Sequence, residues 1–411
     1  MKYCLIGEKL GHSFSKIIHQ KCSLNYSLNE VKRQDLKNFL TNCEFDGFNV
    51  TIPYKREVIG YLDGISDEAK GIGAVNVVKN ENGRLYGFNT DYDGLVFACE
   101  QKGVSVCGKN VLVLGSGGAS KTSVYYAKQN GAKSVNVVSR TGEVNYENVY
   151  NLTETQVIIN TTPVGMYPNS YDKIIDLTPF KNLESVVDFI YNPAKTQLLV
   201  DAENLKLKCV DGLSILVEQA LKAQDIWLNK THSLLDSVNM LNDIRQMTLN
   251  AVLIGMPSCG KSTLGKELAR ALNRPFYDAD ELFLEKFNVS PSDYILNFGE
   301  SAFREKESEV IKEISKKTGV VISTGGGAVE RNENLQNLKI NGIIIYVKRD
   351  IDKLVTDGRP LSNSVGVKAL YERRKDKYES FCNVEVDNNG DIENAKKEIL
   401  KSYEIACNKW C

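Results

Sequence analysis

A glycine-rich loop in the second half of the chain constrains the fold more than any other stretch. Residues 255–262 read G-M-P-S-C-G-K-S and match the pattern G-x-x-x-x-G-K-[ST] at every position. The run before the loop predicts a short buried strand, and 263–271 predicts a helix. In that setting the loop amides cradle phosphates at a helix N-terminus. The loop therefore predicts a nucleotide site, with Lys261 on the β- and γ-phosphates and Ser262 on Mg²⁺.

The loop begins at residue 255 of a 411-residue chain, so a complete folded unit is expected ahead of it. Hydrophobic residues make up 42% and charged residues 25% of the chain, which is ordinary for a soluble globular protein. A formal net charge of −1 and the lack of a long apolar run give no sign of a nucleic-acid or membrane partner. Three histidines make a histidine-centred metal site unexpected, and ten cysteines without a C-x-x-C pair indicate reduced thiols in the cytoplasm.

Short polar patterns mark the first 98 residues. Ser13 and Ser15 precede a predicted helix, where two hydroxyls can also serve simply as helix caps. A predicted strand ends at Pro53 and presents Thr51 and Lys55 at its exit. A hairpin turn is predicted at 81–83. The patterns are H-S-F-S at 12–15, N-V-T-I-P-Y-K at 49–55, G-A-V-N at 73–76 and N-T-D at 89–91.

A second glycine-rich loop follows the predicted strand 111–114 and opens a predicted helix, and a further strand is predicted at 134–138. This is the strand–helix–strand unit of a dinucleotide-binding fold. The second strand runs into Ser139, Arg140 and Thr141, with no carboxylate before Glu143. NAD sites usually place Asp or Glu there, whereas Arg and hydroxyls suit a 2′-phosphate. NADP is therefore favoured, although Arg140 can also be read as a surface arginine. The loop residues expected at the cofactor are Gly115, Ser116, Gly117, Gly118 and Ala119.

The last segment carries further polar residues after predicted strands. Asp278 and Asp280 stand two positions apart at a strand end and point to the same side, so one can lie near the metal and the other near an acceptor hydroxyl. The strand 320–324 runs into three glycines, 325–327, which let a ligand approach the backbone. The remaining patterns are F-R-x-x-E at 303–307, G-R-P-L at 358–361 and R-x-x-x-Y at 374–378.

The order and spacing of the patterns through about residue 240 resemble those of shikimate dehydrogenases. The resemblance implies that Lys55 and Asp91 form the catalytic pair, because hydride transfer at a secondary alcohol requires a proton to move as well. It also implies that Gly212 contacts the cofactor. One departure is Lys16, where the family usually has proline. The implied substrate residues are Ser13 and Ser15 for the carboxylate, Thr51, Asn76 and Gln219 for ring hydroxyls, and Asp91 and Tyr191.

Residues 249–411 resemble shikimate kinases. The resemblance implies that Asp280 binds the acceptor hydroxyl and acts as base, and that Arg359, in a lid, stabilises the transferring phosphoryl group. Asp278 would hold the metal through water. Departures from the family are Asp376 in place of proline, Cys382 in place of a small residue, and Lys353 as the nearest counterpart of an adenine-packing arginine. The remaining implied contacts are Arg304, Gly326, Gly327 and Arg374 for shikimate, and Ser258, Cys259, Gly260, Lys261, Ser262 and Thr263 for ATP, with Ser262 also on Mg²⁺.

We therefore predict an α/β protein of two enzymes. A two-lobed unit over 1–246 has a substrate lobe (1–98 and 222–246) and a Rossmann-type NADP lobe (99–221). A P-loop unit over 247–411, of parallel α/β type like nucleoside monophosphate kinases, follows. Residues 222–248 are helical in pattern without proline or glycine, so the connector is expected to be short.

The predicted function is bifunctional: NADPH-dependent reduction of 3-dehydroshikimate, and ATP- and Mg²⁺-dependent phosphorylation of shikimate. One alternative is an NAD-dependent quinate/shikimate dehydrogenase. Another is a second half that serves as a regulatory ATP-binding module, supported only by the altered lid. A different small-metabolite kinase would not be expected to carry both the three glycines and the two arginines, Arg304 and Arg374. Partners are expected to be small molecules, and either a monomer or a homodimer is compatible with the sequence.

Overall fold

Three β-sheets organise the chain. The computed structural model describes residues 1–11, 13–354 and 366–410. These residues divide into two compact units, Met1–Leu241 and Asn242–Trp410. The first unit holds a six-stranded and a five-stranded sheet, and the second unit holds a five-stranded sheet. No helix within the described ranges is long and apolar enough to cross a bilayer.

The six-stranded sheet has the order β2-β1-β3-β5-β6-β4. β1 is buried along its whole length and pairs in parallel with β2 and β3, whereas β5 pairs antiparallel with β3 and β6. The turn between β5 and β6 has positive φ at Asn82 (56°) and Gly83 (89°), which confirms the predicted hairpin. The elements are β1 Tyr3–Gly7, α1 Ser15–Lys21, β2 Tyr26–Glu30, α2 Leu36–Thr41, β3 Gly47–Val50, β4 Gly64–Ile65, α3 Asp67–Ile72, β5 Val77–Glu81, β6 Arg84–Phe88 and α4 Asp91–Gln101.

The second sheet is parallel throughout, in the order β11-β10-β9-β7-β8. Successive residues of β7 face opposite sides: Val111 and Val113 belong to one core cluster, and Leu112 and Leu114 to the other. Both faces are therefore covered, as expected for a parallel sheet. The elements are β7 Asn110–Leu114, α5 Gly118–Gln129, β8 Ser134–Val138, β9 Val157–Asn160, β10 Ser185–Asp188, α6 Gln197–Asn204, β11 Lys208–Val210 and α7 Gly212–Leu228.

Two features of this unit position functional residues. The loop after β7 leaves the sheet between β7 and β9, where the strand order reverses and where open α/β sheets bind ligands. α7 returns the chain to the first sheet, and the indole of Trp227 donates to the carbonyl of Val78 at 2.9 Å. The side chain of Trp227 fills the space beside Gly47, because a Cβ there would lie 2.4 Å from its Nε1.

The predicted helix and connector over 222–248 are two helices. α7 ends at Leu228, and Asn229 follows in the left-handed region with φ 50°, a common helix terminator. α8 then runs over Leu234–Thr248. A short polar connector, residues 229–233, separates the two helices.

The sheet of the second unit has the order β13-β14-β12-β15-β16, with every pairing parallel. β12 is central and buried at all five positions, and the nucleotide loop leaves its carboxyl end. The elements are β12 Asn250–Ile254, α9 Lys261–Leu272, β13 Phe276–Asp278, α10 Ala279–Phe287, α11 Pro291–Ile314, β14 Val321–Ser323, α12 Asn332–Lys339, β15 Gly342–Lys348, α13 Val367–Phe381, β16 Val384–Asp387 and α14 Ile392–Asn408.

Candidate active sites

A short ion pair lies at the centre of the first unit. Lys55 follows β3, and Asp91 is the first residue of α4. The Nζ of Lys55 lies 2.5 Å from Oδ2 of Asp91, and their side chains are 17% and 8% exposed. The second carboxylate oxygen of Asp91 accepts from Nδ2 of Asn76 at 2.9 Å. A largely buried ammonium and carboxylate in contact can exchange a proton with a bound alcohol or carbonyl oxygen.

Asn76 connects this pair to α7. Its amide nitrogen also faces Oε1 of Gln219 at 3.2 Å, and its Oδ1 accepts from the backbone N–H of Thr90 at 2.7 Å. The hydroxyl of Thr90 donates to the carbonyl of Gln219 at 2.9 Å. The structure thus brings four sequence-predicted residues, Lys55, Asp91, Asn76 and Gln219, into one buried network. Thr90 was quoted in a sequence pattern without a role, and this network supplies one.

Asn49 is a second residue that sequence reasoning passed over. It lies on β3, is 4% exposed, and its Oδ1 accepts from the hydroxyl of Tyr26 at 2.6 Å. Its Nδ2 faces the carbonyl of Asn76 at 3.4 Å. A polar residue inside an otherwise apolar strand was the available signal, because a buried amide has to be hydrogen-bonded.

The predicted serines lie at the start of α1. The N–H of Ser15 donates to Oγ of Ser13 at 3.3 Å, while the helix N-cap position is Phe14, which makes no side-chain capping bond. The phenol of Tyr191 lies beside Ser13, and its ring lies 5.3 Å from that of Phe14. Burial raises the pKa of Tyr191 above its ordinary value, so its hydroxyl stays protonated. Ser13 and Tyr191 therefore meet, and Thr51 is half-buried between β3 and Lys55; His12 lies outside the described residues.

The first glycine-rich loop lies against Lys55. Gly115 has φ 107°, and a side chain there would come within 2.8 Å of Oγ1 of Thr161. Gly117 faces open space, and a Cβ on Gly118 would lie 3.2 Å from side-chain carbons of Lys55. The glycines therefore let the chain turn tightly and bring the N-terminus of α5 next to Lys55. A ligand phosphate can approach these amides without meeting a side chain. Ser116 is exposed and Ala119 half-buried in the same loop.

Arg140 lies just beyond β8, as predicted, and is exposed together with Thr141. The N–H of Ser139 donates to the carbonyl of Val144 at 3.1 Å, which shapes the turn. Burial raises the pKa of the Tyr146 phenol, and the charge of Arg140 partly opposes the rise, so the two side chains are neighbours. The arrangement leaves a cation and two hydroxyl side chains at the end of β8.

Gly212 has a packing reason of its own. It is buried at the start of α7, and a Cβ there would lie 2.4 Å from the carbonyl oxygen of Phe189. Its N–H faces the carbonyl of Ile190 at 3.3 Å. The close approach of two backbones therefore requires glycine here, and the cofactor contact remains a prediction.

In the second unit, the nucleotide loop folds around its own lysine. Lys261 is 7% exposed, and its Nζ donates to the carbonyls of Gly255 at 3.0 Å and Met256 at 2.9 Å. Asn388 lies beneath the loop: its Nδ2 donates to the carbonyl of Cys259 at 2.8 Å. No local pattern marks Asn388, because it lies far along the chain from the loop. Gly260 lies beside Asn388, Cys259 is buried, Ser258 half-buried, and Ser262 and Thr263 are exposed.

Ser262 and Asp278 offer oxygen ligands to a cation. The hydroxyl of Ser262 donates to Oδ2 of Asp278 at 2.6 Å. Asp278 caps α10 by accepting from the N–H of Asp280 at 3.0 Å, which fixes its orientation. Within the described residues no group of three His, Cys, Asp or Glu side chains can hold a metal. The pair nevertheless fits Mg²⁺, which usually takes one or two protein ligands and completes its shell with phosphate and water.

The two predicted substrate arginines are both engaged by protein carboxylates. Arg304 donates to Oε2 of Glu307 at 2.8 Å and to Oε1 of Glu300 at 3.1 Å. Arg374 donates from Nε to Oε1 of Glu330 at 2.5 Å. Burial raises the pKa of Glu307 despite the opposing charge of Arg304. These carboxylates, which the sequence analysis had not singled out as a set, give the site its own counter-charges.

Protein side chains leave no room for a Cβ at any of the three glycines after β14. A Cβ on Gly327 would lie 2.0 Å from Nη2 of Arg304, and one on Gly326 would lie 2.5 Å from Cδ of Pro257. A Cβ on Gly325 would approach Glu307 at 2.7 Å and Asp280 at 3.1 Å. Side chains of this unit therefore occupy the space on the Cβ side of these glycines, where a ligand was expected to approach the backbone.

Several lid and clamp residues complete the comparison with the sequence. Arg359, the predicted catalytic residue of the lid, lies outside the described residues, as does the rest of the 358–361 pattern. Lys353 is partly exposed, and its Nζ lies 3.4 Å from Oδ2 of Asp350. The hydroxyl of Tyr378 donates to the carbonyl of Gly326, which ties α13 to the glycine segment.

A Clostridium beijerinckii protein named shikimate dehydrogenase (NADP(+)) is 39% identical over 246 residues, which is 55% of this chain and 91% of that protein. The chain belongs to the shikimate dehydrogenase family. Residues 5–78 match the family model of the shikimate dehydrogenase substrate binding domain.

Solved structures agree. A shikimate dehydrogenase from Peptoclostridium difficile is 35% identical with a TM-score of 0.56, covering 60% of this chain and 98% of that one. A chorismate mutase/shikimate 5-dehydrogenase fusion protein from Clostridium acetobutylicum is 37% identical with a TM-score of 0.56, covering 59% and 97%. Residues 257–404 match the shikimate kinase family model.

The predicted fold class and both family resemblances are therefore confirmed. The chain is an enzyme that joins a shikimate dehydrogenase unit to a shikimate kinase domain. The individual residue roles and the domain bounds stay predictions.

Proposed function

We propose that the first unit reduces 3-dehydroshikimate to shikimate at the Lys55–Asp91 pair. One observation carries this proposal: Gly118 of the glycine loop lies against Lys55, which is ion-paired with Asp91. NADPH bound along the loop would supply the hydride. Lys55 and Asp91 would supply the proton to the substrate oxygen, and Asn76 would hold Asp91 in place by its 2.9 Å hydrogen bond.

Substrate orientation falls to the residues at the edges of this network. Ser13, Ser15 and Tyr191 would bind the carboxylate end of the ring, and Thr51 and Gln219 the ring hydroxyls. The position of Gln219 is fixed by Asn76 and Thr90, so it is oriented before substrate arrives. Arg140 with its flanking hydroxyls would bind the 2′-phosphate of NADPH.

We also propose that the second unit phosphorylates the 3-hydroxyl of shikimate. Lys261 would leave its loop carbonyls for the β- and γ-phosphates, and Ser262 with Asp278 would hold Mg²⁺. Mg²⁺ would neutralise phosphate charge when bound. Asp280 would accept the proton of the attacking hydroxyl, and Arg304 and Arg374 would bind the carboxylate of shikimate, with Arg359 acting on the phosphoryl group.

We place both reactions in the cytoplasm and on small molecules. The nine cysteines of the described residues are free thiols, including buried Cys4, Cys99 and Cys209. Unpaired cysteines in this number fit a reducing compartment.

The test is a pair of assays on the purified chain. Shikimate with NADP⁺ or NAD⁺ is followed by the absorbance of reduced nicotinamide, and shikimate with ATP and Mg²⁺ is followed by ADP release. The proposal expects both activities, with NADP⁺ preferred. Dehydrogenase activity without ADP release would instead assign the second unit a regulatory role, and absence of shikimate oxidation would reject the first reaction.

A further inference from the structure

Three arginines and three glutamates of the second unit alternate in one series of ion pairs. The order is Glu307, Arg304, Glu300, Arg373, Glu330, Arg374. The links measure 2.8, 3.1, 3.5, 2.6 and 2.5 Å. Counted as ionised groups, the series is neutral. Net charge alone therefore does not attract an anionic substrate to it, and binding depends on which N–H groups are left open and where they point.

Two N–H groups of the series are left open. Nη2 of Arg374 and Nε of Arg304 are buried and have no hydrogen-bond partner within the described ranges. A buried guanidinium N–H without an acceptor costs free energy, so each marks a place for an acceptor. A carboxylate of the ligand is the acceptor that suits an arginine best.

Glu330 determines the orientation of one of these groups. Arg374 is 1% exposed, and Glu330 holds its Nε at 2.5 Å. Glu330 is itself held by Arg373, whose Nη2 donates to both carboxylate oxygens at 2.6 and 2.8 Å. Lys377 donates to the backbone carbonyl of Glu330 at 3.3 Å. Two other side chains of α13, Arg373 and Lys377, therefore hold Glu330 in place as the acceptor of Arg374.

Electrostatics agree with an ionised Glu330. Burial acts to raise the pKa of Glu330. The charge of Arg374 and the hydrogen bonds from Arg373 and Arg374 outweigh burial and lower the pKa below its usual value. The carboxylate stays charged at neutral pH and remains an acceptor for Arg374.

We infer that Glu330 is a positioning residue of the kinase site: it holds the guanidinium of Arg374 by Nε so that Nη2 faces the carboxylate of the substrate. The inference rests on the proposed kinase function. Glu330 itself does not contact the substrate in this account. Its effect is exerted on substrate affinity through Arg374, and not on the chemical step.

The opposite role is the natural competitor to this inference. If Glu330 occupied the place of the substrate carboxylate, removing it would free Arg374 and tighten shikimate binding. The two roles predict opposite changes in the KM for shikimate, so one kinetic measurement separates them.

The test compares Glu330→Ala, Glu330→Gln and wild type in the ADP-release assay. Loss of a hydrogen bond to a charged group that orients Arg374 is expected to raise the KM for shikimate about tenfold in Glu330→Ala. Glu330→Gln keeps an acceptor oxygen and should show about a threefold rise or less. The KM for ATP should stay within about twofold of wild type in both. Glu309→Ala is the matched control, because Glu309 is an exposed partner of Lys306 on α11.

A lower or unchanged KM for shikimate in Glu330→Ala would overturn the inference, as would an equal rise in both KM values. Should Glu330→Ala fail to fold, Arg373→Met loosens Glu330 without removing it and is expected to raise the shikimate KM by a smaller factor. An unchanged KM in that variant would also contradict the inference. If wild type released no ADP with shikimate, the proposed function would fail first, independently of Glu330.

Discussion

Gly118, the first residue of α5, lies against the side chain of Lys55. A methyl group at position 118 would come within 3.2 Å of both Cβ and Cδ of Lys55. The first residue of α5 and the proposed catalytic lysine are therefore packed together. If both proposed roles hold, cofactor binding and proton transfer depend on the same contact.

Gly118→Ala is predicted to displace Lys55 by a few tenths of an ångström. Small misplacements of catalytic groups are costly, so the dehydrogenase kcat should fall between about three- and thirtyfold. Kinase activity should be unchanged. Gly60→Ala is the matched control, because its Cβ would meet nothing within 4 Å. Steady-state kinetics of shikimate oxidation would measure the effect, and equal kcat values in the two variants would refute the packing argument.

Arg140→Ala is predicted to weaken NADPH binding about tenfold or more, while NADH binding changes little. Arginine and the 2′-phosphate of NADPH can form charge-assisted hydrogen bonds, and NADH has no phosphate at that position. Fluorescence titration of each nucleotide gives the two Kd values. Lys133→Ala, another basic residue in the loop ahead of β8, serves as the control. An equal loss for both nucleotides would reject the assignment of Arg140 to the 2′-phosphate.

Asp278→Asn is predicted to raise the Mg²⁺ concentration for half-maximal kinase activity about tenfold or more, because an amide is a weaker ligand for a hard cation than a carboxylate. The 2.6 Å contact with Ser262 makes the two residues one site, so Ser262→Ala should act in the same direction. Dehydrogenase activity should not respond to Mg²⁺ in any variant. A wild-type Mg²⁺ requirement in Asp278→Asn would remove Asp278 from the metal site.

His232 predicts a pH dependence of stability. Its Nδ1 lies 2.7 Å from Asp225 and its Nε2 3.2 Å from Glu218, so both ring nitrogens face carboxylates. The hydrogen bond to Glu218 raises the pKa of His232, and Asp225 raises it further. Burial acts in the opposite direction but does not cancel the rise. The stabilisation is fully present below the unfolded pKa of about 6.5 and is lost as pH rises through the higher folded pKa.

The corresponding variant is His232→Gln. We predict that it lowers the free energy of unfolding of the first unit by about 1 kcal/mol at pH 6 and by less at pH 9. The value at pH 6 allows for the partial exposure of the ion pairs to solvent. Urea midpoints for loss of dehydrogenase activity would measure this. His19 does not interfere, because burial lowers its pKa to about 3. A wild-type-to-variant difference that is the same at both pH values would contradict the prediction.

Local patterns were enough to predict the strand, loop and helix around each glycine-rich segment. The strand–loop–helix patterns around Gly115 and Gly255 are determined by residues close together in the sequence, and so is the hairpin at Asn82. The short polar patterns contain Lys55, Asp91 and Asn76, and the family resemblance added Gln219. The structure brings these four residues into one network.

Contacts between distant segments were beyond the reach of those patterns. Asn388 donates to the carbonyl of Cys259 in the nucleotide loop, 129 positions earlier in the chain. Glu330 accepts from Arg374, which lies 44 positions later. Nothing in the local sequence marks either residue. The sequence predicted a helix and a short connector over 222–248 but not the position of the connector. The left-handed backbone of Asn229 ends α7 there.

The central claim is that one chain carries two separate active sites, and Lys55→Ala and Lys261→Ala test it most directly. Each variant is assayed for shikimate oxidation with NADP⁺ and for ADP release with shikimate, after circular dichroism shows it is folded. The account predicts that Lys55→Ala loses the first activity and keeps the second near wild type, and that Lys261→Ala does the reverse. A folded variant that lost both activities would contradict the division into two sites.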